Sequence, residues 1–178
     1  MSIYICGACN CGKAEIAKRL REDYPNLEVI LDPSETVFNS IFGVGLDRVF
    51  RGRKWESKPD EAIQGIKEYL DVFDREDIIC NESPLLFLSH ILYFGVLSVF
   101  RDEVRAEIIT RCFSQLRNGH HFIIRRWAEN GNFGQASIQI QRDIGAGRKN
   151  IYVIPSADNY ENTVAQGYEF IKAKLEVE

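Results

Sequence analysis

Seven residues near the start of the chain have the types and spacing to do chemistry. Gly7-Ala8-Cys9-Asn10-Cys11-Gly12-Lys13 follows an apolar, β-type run at residues 3–6 and leads into a helix-type run at residues 13–22. A loop bounded by two glycines with four residues between them, ending in lysine between strand and helix, is built to hold phosphate. Gly7 and Gly12 permit the positive φ angles that turn backbone N–H groups inward around phosphate oxygens. The helix starting near Lys13 contributes the positive end of its dipole, and Lys13 a mobile charge for the outer phosphates. The pattern points to a nucleoside triphosphate, held by Gly7, Ala8, Cys9, Asn10, Cys11, Gly12, Lys13 and Ala14.

Such a loop works only if a scaffold presents it. Five short β-branched or apolar runs recur, at residues 3–6, 27–31, 77–80, 122–125 and 151–154. Each is nearly continuously apolar, as strands covered on both faces must be. Helical stretches lie between them at residues 13–22, 60–73, 85–116 and 162–175. The last places Val164, Tyr168, Ile171 and Leu175 on one stripe. This alternation predicts an α/β domain of three layers with a five-stranded, mainly parallel sheet.

Ligands of such sheets gather beyond the carboxyl ends of the strands, so the strand ends are a set of site candidates. The second strand ends in Asp32-Pro33-Ser34-Glu35, the third in Asn81-Glu82-Ser83-Pro84 and the fourth in Arg125-Arg126-Trp127. Acids that orient a nucleophile or Mg²⁺, with arginines that neutralise a moving phosphoryl, are what phosphoryl transfer needs. The segment from Arg48 to Lys58 concentrates Arg48, Arg51 and Arg53 around Trp55. It reads either as a solvated loop or as a clamp for an acceptor, with Trp55 stacking on it.

The 178 residues carry 22 Lys and Arg against 26 Asp and Glu, a net charge of −4. That balance argues against stable binding to duplex nucleic acid. No apolar run reaches membrane-spanning length without polar interruption, and no secretory leader opens the chain, so the expectation is a cytoplasmic protein with no membrane partner. Five cysteines without a leader predict free thiols. Cys6, Cys9 and Cys11 crowd the loop, but no downstream pair completes a zinc site. His90 sits in an apolar helical stretch and reads as a core or subsite histidine.

On these residues the chain resembles the P-loop kinases of small molecules, particularly nucleoside and nucleotide kinases and their compact phage-encoded relatives. The loop Gly7–Lys13 matches except at the next position, where the family carries Ser or Thr to ligate Mg²⁺ and this chain has Ala14. Asp32-Pro33 resembles the acid-Pro element whose carboxylate is the general base toward an acceptor hydroxyl. Asn81-Glu82-Ser83-Pro84-Leu85 resembles an acid-Arg-Ser-Pro-Leu segment, with Asn81-Glu82 standing in place of the acid and arginine. The resemblance implies ATP and Mg²⁺ as cofactors and catalytic roles for Lys13, Asp32, Glu82, Arg125 and Arg126. It implies magnesium held with help from Asp32 or Glu82, an acceptor enclosed by Asp32, Arg48, Arg51, Arg53 and Trp55, and a lid at residues 126–148 hinged near residues 130–134. A homodimer is left open.

Two functions follow. One is an ATP-dependent kinase of a nucleoside, nucleotide or related small acceptor. A hydroxyl acceptor would use Asp32 as base, whereas a phosphate acceptor would use the arginines of residues 48–53. The other is a nucleotide-binding regulatory protein with little catalysis, to which Ala14 and the altered Asn81-Glu82 pair point.

Overall fold

β1 (Ile3–Gly7) is buried at every position, which explains why its sequence shows no polar alternation. It pairs in parallel with β3 (Ile78–Cys80) on one side and β4 (His120–Ile124) on the other. β2 (Glu28–Ile30) and β5 (Ile151–Ile154) form the two edges, giving the order β2-β3-β1-β4-β5 with every pairing parallel. The computed structural model describes residues 1–8, 10–125, 131–155 and 157–177, with the side chains of residues 131 and 132 excepted. Cys9 and Arg126, both named above as site candidates, lie outside the described residues.

The sheet separates two cores, and successive residues of each inner strand feed opposite ones. Tyr4, Cys6, Ile78, Cys80 and Ile123 face one core. Ile3, Ile5, Ile79, Phe122 and Ile124 face the other. The second core is closed by α1 (Lys13–Asp23) and α9 (Tyr160–Leu175), through Ile16, Ala17 and Leu20 against Val164 and Ile171. The first is larger and is covered by α2 (Pro33–Phe42), α3 (Leu46–Arg51), α4 (Lys54–Ser57) and α5 (Pro59–Asp71), with α6 (Pro84–Phe94) and α7 (Asp102–Gln115).

The expected helix at residues 85–116 is two helices. Ser83 caps α6 by accepting from the N–H groups of Leu85 and Leu86, and Pro84 fits the first turn. Gly95 ends the helix at φ +64°, and a 3₁₀ segment (Val96–Val99) turns the chain toward α7. The stretch expected as a lid also differs. Residues 131–145 form α8 (Gly131–Gly145), which packs along α6 and against β1, β4 and β5. The hinge expected near residues 130–134 is, from Gly131 on, the first turn of this helix.

Two histidines are buried. His121 stacks on Tyr4 with ring centroids 4.7 Å apart, and burial pushes its pKa down to about 3. His90, on α6, is likewise pushed down by burial, to about 4. An unfolded histidine titrates near 6.5, so between that pH and the folded values the unfolded chain binds more protons. Stability is therefore lost as pH falls below about 6.5. Glu82, whose carboxyl is raised by burial, acts in the opposite sense. Urea unfolding at pH 5 is expected to show about 2 kcal/mol less stability than at pH 7; a flat profile over that range would contradict the burial of neutral imidazoles.

The turn into β4 sets a second expectation. Gly119 has φ +67°, and a Cβ there would lie 2.3 Å from the carbonyl oxygen of Ser2. That oxygen accepts from the N–H of His120, so it is held in the sheet. Gly119→Ala should cost about 2 kcal/mol or more, from the left-handed backbone and the clash together. The urea midpoint of the variant checks it.

Candidate active site

The loop after β1 turns through positive φ at Gly7, Asn10 and Gly12. Neither glycine has room for a side chain. A Cβ on Gly7 would stand 2.8 Å from the carbonyl oxygen of Ile124, and one on Gly12 2.5 Å from Val164. The loop is thus wedged between β4 and α9, and α1 starts directly from it, with the N–H of Ile16 donating to the carbonyl of Gly12. Lys13 folds back across the loop, its Nζ donating to the carbonyl oxygen of Ala8 at 2.8 Å.

Gly7, Ala8, Asn10 and Lys13 open onto a cavity of about 470 Å³, a volume suited to a small-molecule site. The ends of β2 and β3 add Asp32 and Glu82 to its wall. Asp32 has φ +47°, unusual for a residue other than glycine, and Asn81 explains how it is held. The side-chain oxygen of Asn81 accepts from the N–H of Asp32, and its amide donates to Asp32 Oδ1, both at 2.7 Å. A carboxylate at position 81 could not donate and would repel Asp32. The amide of Asn81 is thus suited to hold Asp32 in this conformation.

Glu82 has a different attachment. Its carboxylate accepts from both the N–H and the hydroxyl of Ser34, at 3.1 and 2.6 Å. Ser34 is in the first turn of α2, so the acid sits against that helix's positive end. Burial raises its carboxyl pKa, while the Ser34 hydrogen bonds and the Lys13 charge partly oppose the shift.

Helical periodicity decides which residues of the basic segment reach the cavity. In α3, Leu46, Val49 and Phe50 are buried, and Asp47 and Arg51 share one face four residues apart. Arg51 Nε donates to Asp47 at 2.9 Å, and both side chains line the cavity. Arg48 lies outside this wall and is exposed. Arg53 pairs with Glu56 in solvent and is likewise absent from the wall. Trp55 does not stack on a ligand: it is 1% exposed and belongs to the core, because the short α4 lays its ring under α5.

Arg125 also departs from expectation. Its N–H donates to the carbonyl of Ile154, so the chain leaves β4 toward the outer strand. Its side chain borders a separate cavity of about 220 Å³, with Arg142. Cys11 is buried in the core below the loop, and burial pushes the Cys6 thiol up to about 12, which leaves it unreactive at neutral pH.

His90, read from sequence as a core or subsite histidine, reaches the wall from α6. Leu86 of α6, and Phe133, Gly134 and Ser137 of α8, also line it and were not read as site residues. The Asp47–Arg51 spacing was a readable signal for α3. Nothing comparable marks Phe133, whose ring contacts His90 at 4.9 Å between centroids and lies under Arg51 at 5.4 Å. Among the described residues, no group of three or more His, Cys, Asp or Glu side chains could hold a metal by itself. No helix among them is long and apolar enough to cross a membrane.

No family model matches the chain. Among curated proteins, the sequence is 25% identical over 158 residues to protein arginine N-methyltransferase 5 of Caenorhabditis elegans, a match that takes in 79% of this chain and 18% of that protein. The chain thus spans less than a fifth of that relative's length, and the match assigns it no family. Solved structures are similar over nearly the full chain. A deoxyadenosine kinase from M. mycoides, solved with dCMP and dCDP, superposes with a TM-score of 0.53 at 12% identity, covering 100% of both chains. Shikimate kinase from Aquifex aeolicus gives 0.50 at 15% identity, covering 99% of this chain and 96% of that one. Both are P-loop kinases of small molecules, and the five-stranded parallel sheet with helices on both faces gives this chain their fold.

Proposed function

We propose that the chain is a phosphotransferase that moves the γ-phosphoryl group of ATP onto a hydroxyl of a small acceptor. The observation that carries this reading is that the phosphate loop, Lys13 and Asp32 open onto one cavity. In this reading the inward N–H groups of the loop and the start of α1 hold the phosphates. Lys13 exchanges its contact with Ala8 for the outer phosphates and stabilises charge on the moving group. Asp32 receives the acceptor's proton: Asn81 engages Oδ1, whereas Oδ2 makes no hydrogen bond among the described residues.

Magnesium fits the donor set as a hard, water-rich ion. It commonly takes one or two carboxylates plus substrate phosphates and keeps several waters. Asp32 and Glu82 are the carboxylates that would hold it, and the ion would neutralise phosphate charge. Ala14 offers no hydroxyl, so water fills that share of the shell.

A second reading, a nucleotide-binding protein without turnover, is favoured by Ala14 and by the engagement of both Glu82 oxygens with Ser34. Magnesium-dependent ATP consumption over a panel of nucleosides, nucleotides and simple hydroxyl compounds separates the two. ATP binding with no consumption would select the second.

Two substitutions test the roles. Lys13→Ala should lower turnover by about 10²-fold or more, through lost stabilisation of the transferring phosphoryl; wild-type rates would dissociate the loop from the chemistry. Asp32→Asn is a clean probe, because asparagine tolerates the left-handed backbone and its amide can still pair with Asn81. Transfer to a hydroxyl should fall by about 10²-fold or more with ATP affinity preserved. Transfer that survives Asp32→Asn but collapses in Arg51→Ala would identify a phosphate acceptor instead.

A further inference from the structure

Where α3, α6 and α8 meet, the cavity is walled by Asp47, Arg51, His90 and Phe133. Nδ1 of His90 lies 2.8 Å from the carbonyl oxygen of Leu86. A carbonyl can only accept, so Nδ1 carries the proton and Nε2 is the bare nitrogen of the neutral ring. Among the described residues Nε2 has no hydrogen-bond partner, yet it is not one of the polar atoms sealed in the core. The ring is 5% exposed and borders the cavity, so that small opening is toward the ligand space. Its edge-to-face contact with Phe133 fixes its orientation. Burial lowers the ring's basicity, with Lys13 and Arg51 pushing the same way and Asp47 and the Leu86 carbonyl opposing. The lone pair therefore persists through the neutral range.

Three acids share the wall with this lone pair: Asp32, Asp47 and Glu82. The guanidinium of Arg51 gives its Nε–H to Asp47 and is laid over Phe133. An anionic acceptor would meet a lone pair and carboxylates here, and would share the Arg51 charge with Asp47. An O–H or N–H meets a partner at once.

We propose that His90 Nε2 determines acceptor specificity by taking a hydrogen bond from an O–H or N–H of a phosphoryl acceptor that carries no negative charge. The inference rests on the phosphotransferase reading and selects, within it, neutral or amine-bearing hydroxyl compounds over phosphorylated or carboxylated ones. A site built to pair a substrate donor rejects analogues that lack it far more strongly than an apolar pocket rejects a missing methylene.

The test is calorimetric titration of the full chain, saturated with a non-hydrolysable ATP analogue and magnesium. The probes are matched sets: nucleosides and cyclic polyols, their amine-bearing counterparts, and their phosphorylated or carboxylated counterparts. Neutral or amine-bearing members should bind at least about 10-fold more tightly than their anionic partners. His90→Phe keeps the ring against Phe133 and removes Nε2; it should weaken the best neutral member about 10-fold, and His90→Gln, which keeps an acceptor, should recover most of that loss. Equal binding of anionic partners, an unchanged affinity in His90→Phe, or no neutral member bound while the ATP analogue binds would each overturn the inference. Failure of the analogue itself to bind would overturn the phosphotransferase reading as well. The wild-type histidine ring, read by nitrogen NMR, gives a check independent of any variant's folding. Nδ1–H with bare Nε2 across pH 5–8 supports the assignment, and the opposite tautomer removes it.

Discussion

Everything at the carboxyl edge of the sheet depends on how closely the first loop is pressed into it. Gly7 lies against the Ile124 carbonyl and Gly12 against Val164, at separations no side chain could occupy. The loop is therefore held by β4 beneath and α9 beside, with Lys13 donating across it to the Ala8 carbonyl. The central, wholly buried β1 makes this possible, because it delivers the chain to the middle of the edge with neighbours on both sides. The loop's backbone is thereby set in advance, and a ligand bound to a preset loop costs less ordering. The C-terminal helix, remote in sequence, is by this contact part of the cavity's support.

The acids beside that loop are each attached by a specific partner. Asn81 meets both the N–H and the carboxylate of Asp32. Glu82 meets both donors of Ser34. These contacts satisfy polar groups that burial would otherwise penalise. The result is that Asp32 and the start of α2 are tied to the end of β3, so both take their position from the sheet.

The order and type of the strands were readable because buried parallel strands leave continuous apolar runs. Their ends were less so. β4 starts at His120 and stops at Ile124, since His121 stacks on Tyr4 inside the core and Arg125 has already turned outward. That the glycine-bounded loop and the acids at the strand ends would meet at one cavity was legible from their spacing and placement. The basic segment was not, because charge density does not say which face a side chain takes. Only the helical phase of α3 brings Asp47 and Arg51 to the cavity and leaves Arg48 outside, while the separate short α4 puts Trp55 into the core. Phe133 and Ser137 were invisible because a glycine-rich stretch reads as a loop, and it takes the packing surface of α6 to make it helix.

That packing surface has its own logic. α6 is apolar on nearly every side, and its residues from Pro84 to Ile91 are all buried. Such a helix has no polar face to set its rotation, and rotation decides whether His90 meets the cavity or the core. The seam with α8 supplies the missing specification. Ser89 Oγ bonds to the Leu86 carbonyl and to Ser137 Oγ, at 2.6 and 2.7 Å, and Gln141 donates to Ser137 at 2.9 Å. These buried hydroxyls add little net stability, but turning α6 by one residue would strand them without partners. Leu86 and His90 lie one turn apart on the adjoining face, so the seam that fixes Ser89 also aims them at the cavity. A polar contact within an otherwise dry helix pair thus sets the chemistry the cavity presents.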